Sequence, residues 1–285
     1  MKNIDRNQLV NVAGRYAFIV LTWNSEKYIS DCLDSIDEAM AGTDTTVYVI
    51  DNGSTDHTVD YIRNWNNKSH NIKIDLTQLK KNTGTTVSRN IGLRKAINSS
   101  NYICVLDSDT KINKDAIVRL AEVVDTYKKV GIVGPVLKGL DGTIQNSGRA
   151  IPTMLIKMLK VMPFGSLRKK GENKEVIPKV NAITPVGYLM SACWFMRSRI
   201  VDDVGLLDEK IFYAPEDVEY CLRMWQNGYA VVYDKTVAIT HAWQRLSRKK
   251  LISKHNYEHI KGLAYLFVKY KYLFNKKIDY KIWNK

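Results

Sequence analysis

Two aspartates one residue apart, Asp107-Ser108-Asp109, close the apolar run Tyr102 to Leu106. Carboxylates spaced in this way at a strand end can leave the sheet together and share a hard divalent cation with phosphate oxygens. Mg2+ and Mn2+ suit such oxygen ligands. A cation held there would neutralise charge developing on a nucleoside diphosphate leaving group. The same residues could also form a solvated, Asp-rich turn. A second polar cluster, Asp51-Asn52-Gly53-Ser54, follows the apolar run Val47 to Ile50. A carboxylate held there can accept a hydrogen bond from a pyrimidine N3–H, and Asn-Gly supplies a tight turn. Capping of the next helix by Ser54 or Asp56 is compatible with that role.

Three further groups complete the set. Asn82-Thr83-Gly84 precedes Arg89-Asn90-Ile91-Gly92, and the Arg89 guanidinium offers a fork for phosphate or a base carbonyl. Glu216-Asp217 opens a helical pattern, where adjacent carboxylates either complement the helix dipole or supply a general base. His241 follows a strand-like stretch; with Asp109 near, it becomes a candidate for an open metal position.

These clusters need elements to place them. Tyr16 to Leu21, Val47 to Ile50 and Tyr102 to Leu106 read as buried strands, with helical spacing in Tyr28 to Ile36, from Val59, and over Val87 to Ile97. Lys73 to Leu76 is a weaker strand. Alternating strands and helices imply βαβ units and a mainly parallel sheet. Ligands bind outside the carboxyl ends of such strands, where Thr22-Trp23-Asn24, Asp51 to Asp56 and Asp107-Ser108-Asp109 all fall. In the second half, Ile132 to Leu137 and Tyr229 to Tyr233 read as strands, Val218 to Gln226 as a helix, and Met162 to Lys179 as a loop. From Leu251, an apolar stripe of Ile260, Leu263, Ala264, Phe267 and Val268 runs among lysines.

Composition narrows the class. A chain of 285 residues with 45% hydrophobic content can bury one substantial core. Its four cysteines are scattered without a C-x-x-C pair, against a disulfide framework or zinc site and in keeping with a reducing, cytoplasmic setting. No run of about 18 apolar residues suggests a spanning helix. The net charge of +14 is concentrated at the end: from Arg245 onward, twelve Lys or Arg stand against Glu258 and Asp279. Nucleic acid, an anionic membrane or solubility alone could each account for such a tail.

Taken together, Leu21-Thr22-Trp23-Asn24, Asp51 to Asp56, Asn82-x-Gly84 with Arg89-Asn90-x-Gly92, Asp107-Ser108-Asp109, and Val204 to Glu209 leading into Glu216-Asp217-Val218-Glu219, Cys221 and Arg223 resemble the inverting glycosyltransferases of family two. The likeness runs in order from about Tyr16 to His241. The Thr-Trp-Asn start and the region of His241, Trp243 and Ser247 look most like the rhamnosyltransferase-type members.

The resemblance implies an α/β, GT-A fold: a Rossmann-like, mainly parallel central sheet flanked by helices. It further implies a nucleotide-sugar half over about 15–135, an acceptor half over 136–245, and a basic, aromatic helical extension over 246–285. By the same analogy Thr22, Asn24, Asp51 and Arg89 hold the nucleoside, with Asn82, Gly84 and Ser108 in the donor-binding set. Asp107 contacts ribose or metal, Asp109 ligates the metal with His241, and Asp217 is the base, with Glu216 the less favoured candidate. The donor is then a nucleotide diphosphate sugar, dTDP-rhamnose or a UDP-sugar, and the cofactor Mn2+ or Mg2+. The acceptor is a glycan or lipid-linked saccharide. The basic segment either meets an anionic membrane, on the inner face of the cytoplasmic membrane, or packs on the catalytic domain.

Rival readings fit less well. A haloacid dehalogenase-type phosphatase would want Thr or Val where Lys111 stands, and a nucleotidyltransferase a Gly-rich loop where the chain has Thr22-Trp23-Asn24-Ser25. A nucleic-acid-binding protein rests on charge alone, and the acidic site argues against it; no nucleic acid is expected as a partner.

Overall fold

Strand β1 (Arg15–Thr22) shows why the apolar runs have no polar alternation. Phe18 and Val20 enter one hydrophobic cluster, and Ala17 and Ile19 enter the other, on the opposite face of the sheet. A strand covered on both faces reads as continuously apolar. The computed structural model describes residues 14–67, 70–161, 164–177, 181–242, 254–274 and 277–284.

After β1 the chain alternates as expected: α1 (Ile29–Ala39), β2 (Asp44–Asp51), α2 (Thr58–Asn66), β3 (Lys73–Gln78), α3 (Thr85–Ile97) and β4 (Tyr102–Asp107). A two-residue strand β5 (Thr110–Lys111) precedes α4 (Lys114–Thr126) and β6 (Val130–Lys138). A hairpin return β7 (Ile144–Gln145), then β8 (Gly148–Arg149), α5 (Met154–Val161), α6 (Gly165–Glu175), β9 (Ile183–Pro185), β10 (Tyr188–Leu189), β11 (Cys193–Arg197), α7 (Arg199–Val204), α8 (Glu216–Gln226), β12 (Ala230–His241) and α9 (Lys254–Tyr270) follow.

The main sheet has the order β3-β2-β1-β4-β11-β6-β12-β5. Strands β3, β2, β1 and β4 are parallel, as are β6 and β12; β11 runs antiparallel between the two sets. The parallel left half carries Thr22, Asp51 and Asp107 at the same edge: Thr22 is in register with Asp51, and Leu21 with Asp107. Helices α1 and α4 cover one face, while α8 and α9 contribute to the cluster on the other.

Three local expectations are corrected. Residues 165–175, inside the expected loop, form α6, whose end is fixed because buried Glu175 draws Arg149, Lys157 and Lys160 onto itself. The two strand-like stretches before His241 are one strand, β12, with a register shift between Asp234 and Ala238. On α9 the inward stripe is Leu263, Leu266, Phe267 and Tyr270, whereas Ile260 and Val268 are exposed at 67% and 77%. Leu266 and Tyr270 belong to the core at i+3 and i+7 from Leu263, which turns the buried face away from the one expected.

The C-terminal segment therefore shares the core of the preceding domain. Tyr265 and Lys269 bond Asp208, Tyr270 bonds buried Glu219, and the Leu273 carbonyl accepts from Met154 N–H. Gly262 lets α9 approach the Ala214-Pro215 backbone: a Cβ there would lie 2.2 Å from the Ala214 oxygen. Trp243 and Ser247 lie outside the described residues. All four cysteines are buried free thiols. No helix among the described residues is long and apolar enough to cross a membrane.

Candidate active site

Asp107 ends β4 and Asp109 follows it two residues on, so both leave the sheet where β1 and β2 also end. Pairing of β5 with β12 then sets His241 opposite Thr110, and Ala242 N–H donates to the Asp109 carbonyl at 2.9 Å. Ligand atoms of Asp107, Asp109 and His241 consequently lie within 4.8 Å of one another. The His241 Nε2 atom is 3.3 Å from Asp109 Oδ1.

Gln145 orients that imidazole, a role for which no spacing signal exists in the chain. Its Nε2 donates to the His241 carbonyl at 3.0 Å, which turns its Oε1 toward Nδ1 at 2.7 Å. Nδ1–H therefore donates to Gln145, and Nε2 is the nitrogen presented to Asp109. Two carboxylates and one imidazole make a donor set suited to Mn2+ or Mg2+.

Arg89 does not present its fork to a ligand. The guanidinium is buried, with Nη2 donating to Asp107 at 2.7 Å and Nη1 to Glu216 at 3.0 Å and Ser191 Oγ at 2.9 Å. Both terminal nitrogens are taken by protein, so Arg89 ties the metal-side carboxylate to the first residue of α8. Ser191, which also donates to Glu216 at 3.0 Å, was not foreseen.

Glu216 and Asp217 share the start of α8 but differ in their surroundings. Glu216 Oε1 accepts from both Arg89 and Ser191. Asp217 is half-buried, its Oδ1 accepts from Val218 N–H at 2.8 Å, and no hydrogen bond among the described residues reaches its Oδ2. Burial raises both acids; the neighbouring Asp217 charge adds to the effect on Glu216, which is pushed up to about 7. A cavity of about 890 Å³ joins Asp107, His241, Arg89, Glu216 and Asp217, within the range of small-molecule sites.

The remaining expected residues fall at the rim of the same strand ends. Thr22 Oγ1 is buried and without a hydrogen-bond partner among the described residues, an orphan of the kind a ligand can satisfy. The Asp51 carboxylate accepts from Ser54 N–H at 3.2 Å. Asn24, at φ 51, accepts from Thr55 N–H, and Ser25 and Ser108 hydroxyls lie 2.8 Å apart. Asp56 accepts from Thr58 N–H, just before α2, whose N-cap is His57, and Ser54 accepts from Asn24 N–H and so joins two loops. Asn82 and Gly84 are occupied in building the fold. Asn82 accepts from Asn52 and Gly84 N–H, and a Cβ on Gly84, at φ +89, would stand 2.3 Å from the Phe212 oxygen.

A pH dependence follows from His241. Burial lowers its affinity for a proton, but the hydrogen bond to Asp109 and the charges of Asp109 and Asp107 outweigh this, and its pKa is raised. A metal must displace that proton, so affinity is low in acid and increases as His241 deprotonates above the usual imidazole range. Mn2+ affinity, followed by electron paramagnetic resonance of the free ion, is expected to rise by roughly tenfold per unit between pH 6 and 7. A flat profile would remove His241 from the ligand set.

Comparison with known proteins agrees with this arrangement. The chain is 25% identical over 226 residues to the poly(ribitol-phosphate) beta-N-acetylglucosaminyltransferase TarS of Staphylococcus aureus, covering 78% of this chain and 34% of that one. It thus spans about a third of that relative's length. It is 23% identical over 208 residues to an N-acetylglucosaminyl-diphospho-decaprenol L-rhamnosyltransferase of Mycobacterium tuberculosis, covering 69% and 66% of the two chains. The solved structure of the mannosyltransferase PcManGT from Pyrobaculum calidifontis, in complex with GDP-Man and Mn2+, superimposes with a TM-score of 0.64 at 17% identity, over 96% of this chain and 69% of that one. That likeness shows the GT-A fold. Residues 17–205, which carry β1, the polar strand ends and β11, match the glycosyl transferase family 2 description, and the chain belongs to that family.

Proposed function

We propose that this chain is an inverting glycosyltransferase that moves a sugar from a nucleotide diphosphate sugar, dTDP-rhamnose or a UDP-sugar, to a hydroxyl of a glycan or lipid-linked saccharide in bacterial-type cell-surface polysaccharide synthesis. The observation that carries this reading is one cavity lined both by Asp107 and His241, two members of a cation-type ligand set, and by the half-buried carboxylate of Asp217. Asp107 is joined to Glu216, the neighbour of Asp217, by a single buried arginine.

Each residue has a part in the proposed reaction. Thr22, Asn24, Asp51 and Ser108 form the rim that receives the nucleoside, with Asn82 and Gly84 shaping the loops behind it. Asp107, Asp109 and His241 would hold Mn2+ or Mg2+, which supplies charge neutralisation for the departing diphosphate. Asp217 accepts the proton of the acceptor hydroxyl as its oxygen attacks the anomeric carbon opposite the leaving diphosphate. One base suffices, and the product has inverted configuration. Glu216, locked by Arg89 and Ser191, fixes the start of α8 and so the position of Asp217. The basic C-terminal segment is proposed to hold the protein against an anionic membrane through exposed residues such as Lys261 and Lys271.

Calorimetric titration with UDP, dTDP, GDP and ADP, each with and without Mn2+, tests the reading. One pyrimidine diphosphate is expected to bind, and to need the metal; dTDP would favour rhamnose. Binding of none of them under either condition would overturn the transferase reading.

A further inference from the structure

The same cavity has a second part of different chemistry. It runs between α5 and α9 and is walled by Met154, Met158, Ile260, Leu263 and Phe267. Met158 and Ile260 are 50% and 67% exposed. Among the residues lining the same cavity, three cations gather on one carboxylate. Glu175, almost wholly buried, receives Lys160 at 2.7 Å, Arg149 at 3.3 Å and Lys157 at 3.4 Å. Lys157 and Arg149 are near enough to Asp217 to act on its charge, so two negative charges against three positive ones still leave the wall cationic.

The excess is felt by its neighbours. His259 lines the same cavity and is pushed down to about 4, by burial first and then by Lys157 and Lys160. Lys157 is itself lowered, chiefly by burial. A partly desolvated cluster with surplus positive charge is stabilised by an anion, and phosphate oxygens are the usual partners of such a cluster.

Resting on the assignment of Asp217 as the base, we propose that Lys157 and Lys160 bind the phosphate or diphosphate of the acceptor, with Arg149 adding its charge, and that the α5–α9 cleft takes the hydrocarbon chain attached to it. One cavity thus joins the base, the cations and an apolar cleft. In a saccharide carried on a lipid phosphate the order is sugar hydroxyl, phosphate, hydrocarbon. A neutral glycan would leave the surplus positive charge uncompensated, and a phosphodiester polymer would leave the apolar cleft without a partner. The exposed mouth at Met158 and Ile260 is where such a chain would leave toward a bilayer.

The test is calorimetry on the full chain with whichever of UDP and dTDP binds, and Mn2+, at saturation, so that the donor site is filled, using farnesyl diphosphate, farnesol, inorganic pyrophosphate and a soluble glycerol phosphate oligomer. Farnesyl diphosphate is expected to bind at least about tenfold more tightly than each of the other three, since only it fills both halves. The double variant Lys157→Gln/Lys160→Gln should lose at least about tenfold in farnesyl diphosphate affinity. Ile260→Asp, at an exposed position that folding tolerates, should weaken farnesyl diphosphate and leave pyrophosphate unchanged; it decides the matter if the double variant does not fold. Farnesyl diphosphate binding no better than farnesol, pyrophosphate or the oligomer overturns the proposal. Nucleotide binding measured separately keeps the two readings apart: UDP or dTDP bound with farnesyl diphosphate rejected sinks this site alone, whereas rejection of every nucleotide sinks the transferase reading and this site with it.

Discussion

Asp217→Asn is expected to lower sugar transfer by about 10²–10⁴-fold, the usual contribution of a positioned general base. Metal-dependent nucleotide affinity should stay unchanged. The amide keeps the shape of the side chain and its contact with Val218 N–H, but it cannot take a proton. Asp217 sits in the cavity without a hydrogen bond from the described residues to its second oxygen, and burial raises its pKa. The base must be ionised to act, so transfer should fall toward acid, with its limb above the ordinary carboxylate range. Glu216→Gln is the necessary comparison. Glu216 has a pKa near 7, attractive for a base, yet its Oε1 is committed to Arg89 and Ser191. A glutamine oxygen can still accept from both, so its loss should be the smaller. Substantial transfer by Asp217→Asn, together with loss in Glu216→Gln, would exchange the two roles.

Asp109→Ala should abolish the metal-dependent part of nucleotide binding, a loss of at least about 100-fold, beyond what removal of an orienting partner alone costs. Asp107 has one oxygen engaged by Arg89 at 2.7 Å, which leaves Asp109 as the carboxylate facing His241. Without it, only one partly committed carboxylate and one imidazole remain for the cation. Titration of the pyrimidine nucleotide with and without Mn2+ reads the effect. The metal-free affinity is the internal control, because Thr22, Asn24 and Asp51 are untouched by the change. An unaltered metal dependence would show that the cation is held elsewhere.

The strands and the polar clusters at their ends could be read from residue order because each signal is local. Phe18 and Ile19 face opposite clusters, which forces an unbroken apolar run, and Asp51, Asp107 and Asp109 stand where that run stops. Helix α3 was legible as an element, but the use of its polar residues was not. Asn90 is buried and clasps the Leu207 backbone through both its amide nitrogen and its oxygen, 117 positions away. Asn82 and Gly84 looked like ligand contacts because loop residues of these types serve both purposes; only the approach of Phe212 to Gly84 shows what the glycine is for.

The sequence by itself thus determined the parallel half of the sheet, its polar rim, and the identities of the acids and the histidine. The tertiary structure alone decided which of them meet. His241 reaches Asp109 because β12 pairs with β5, and Gln145 reaches His241 because β7 folds back on β6. Arg89 became a bridge between Asp107 and Glu216 because α3, β4 and α8 converge on one end of the sheet. The cationic cluster and the buried face of α9 belong to the same class. Such pairings are set by packing between distant segments, and a single residue with one distant partner leaves no periodic trace in the chain that carries it.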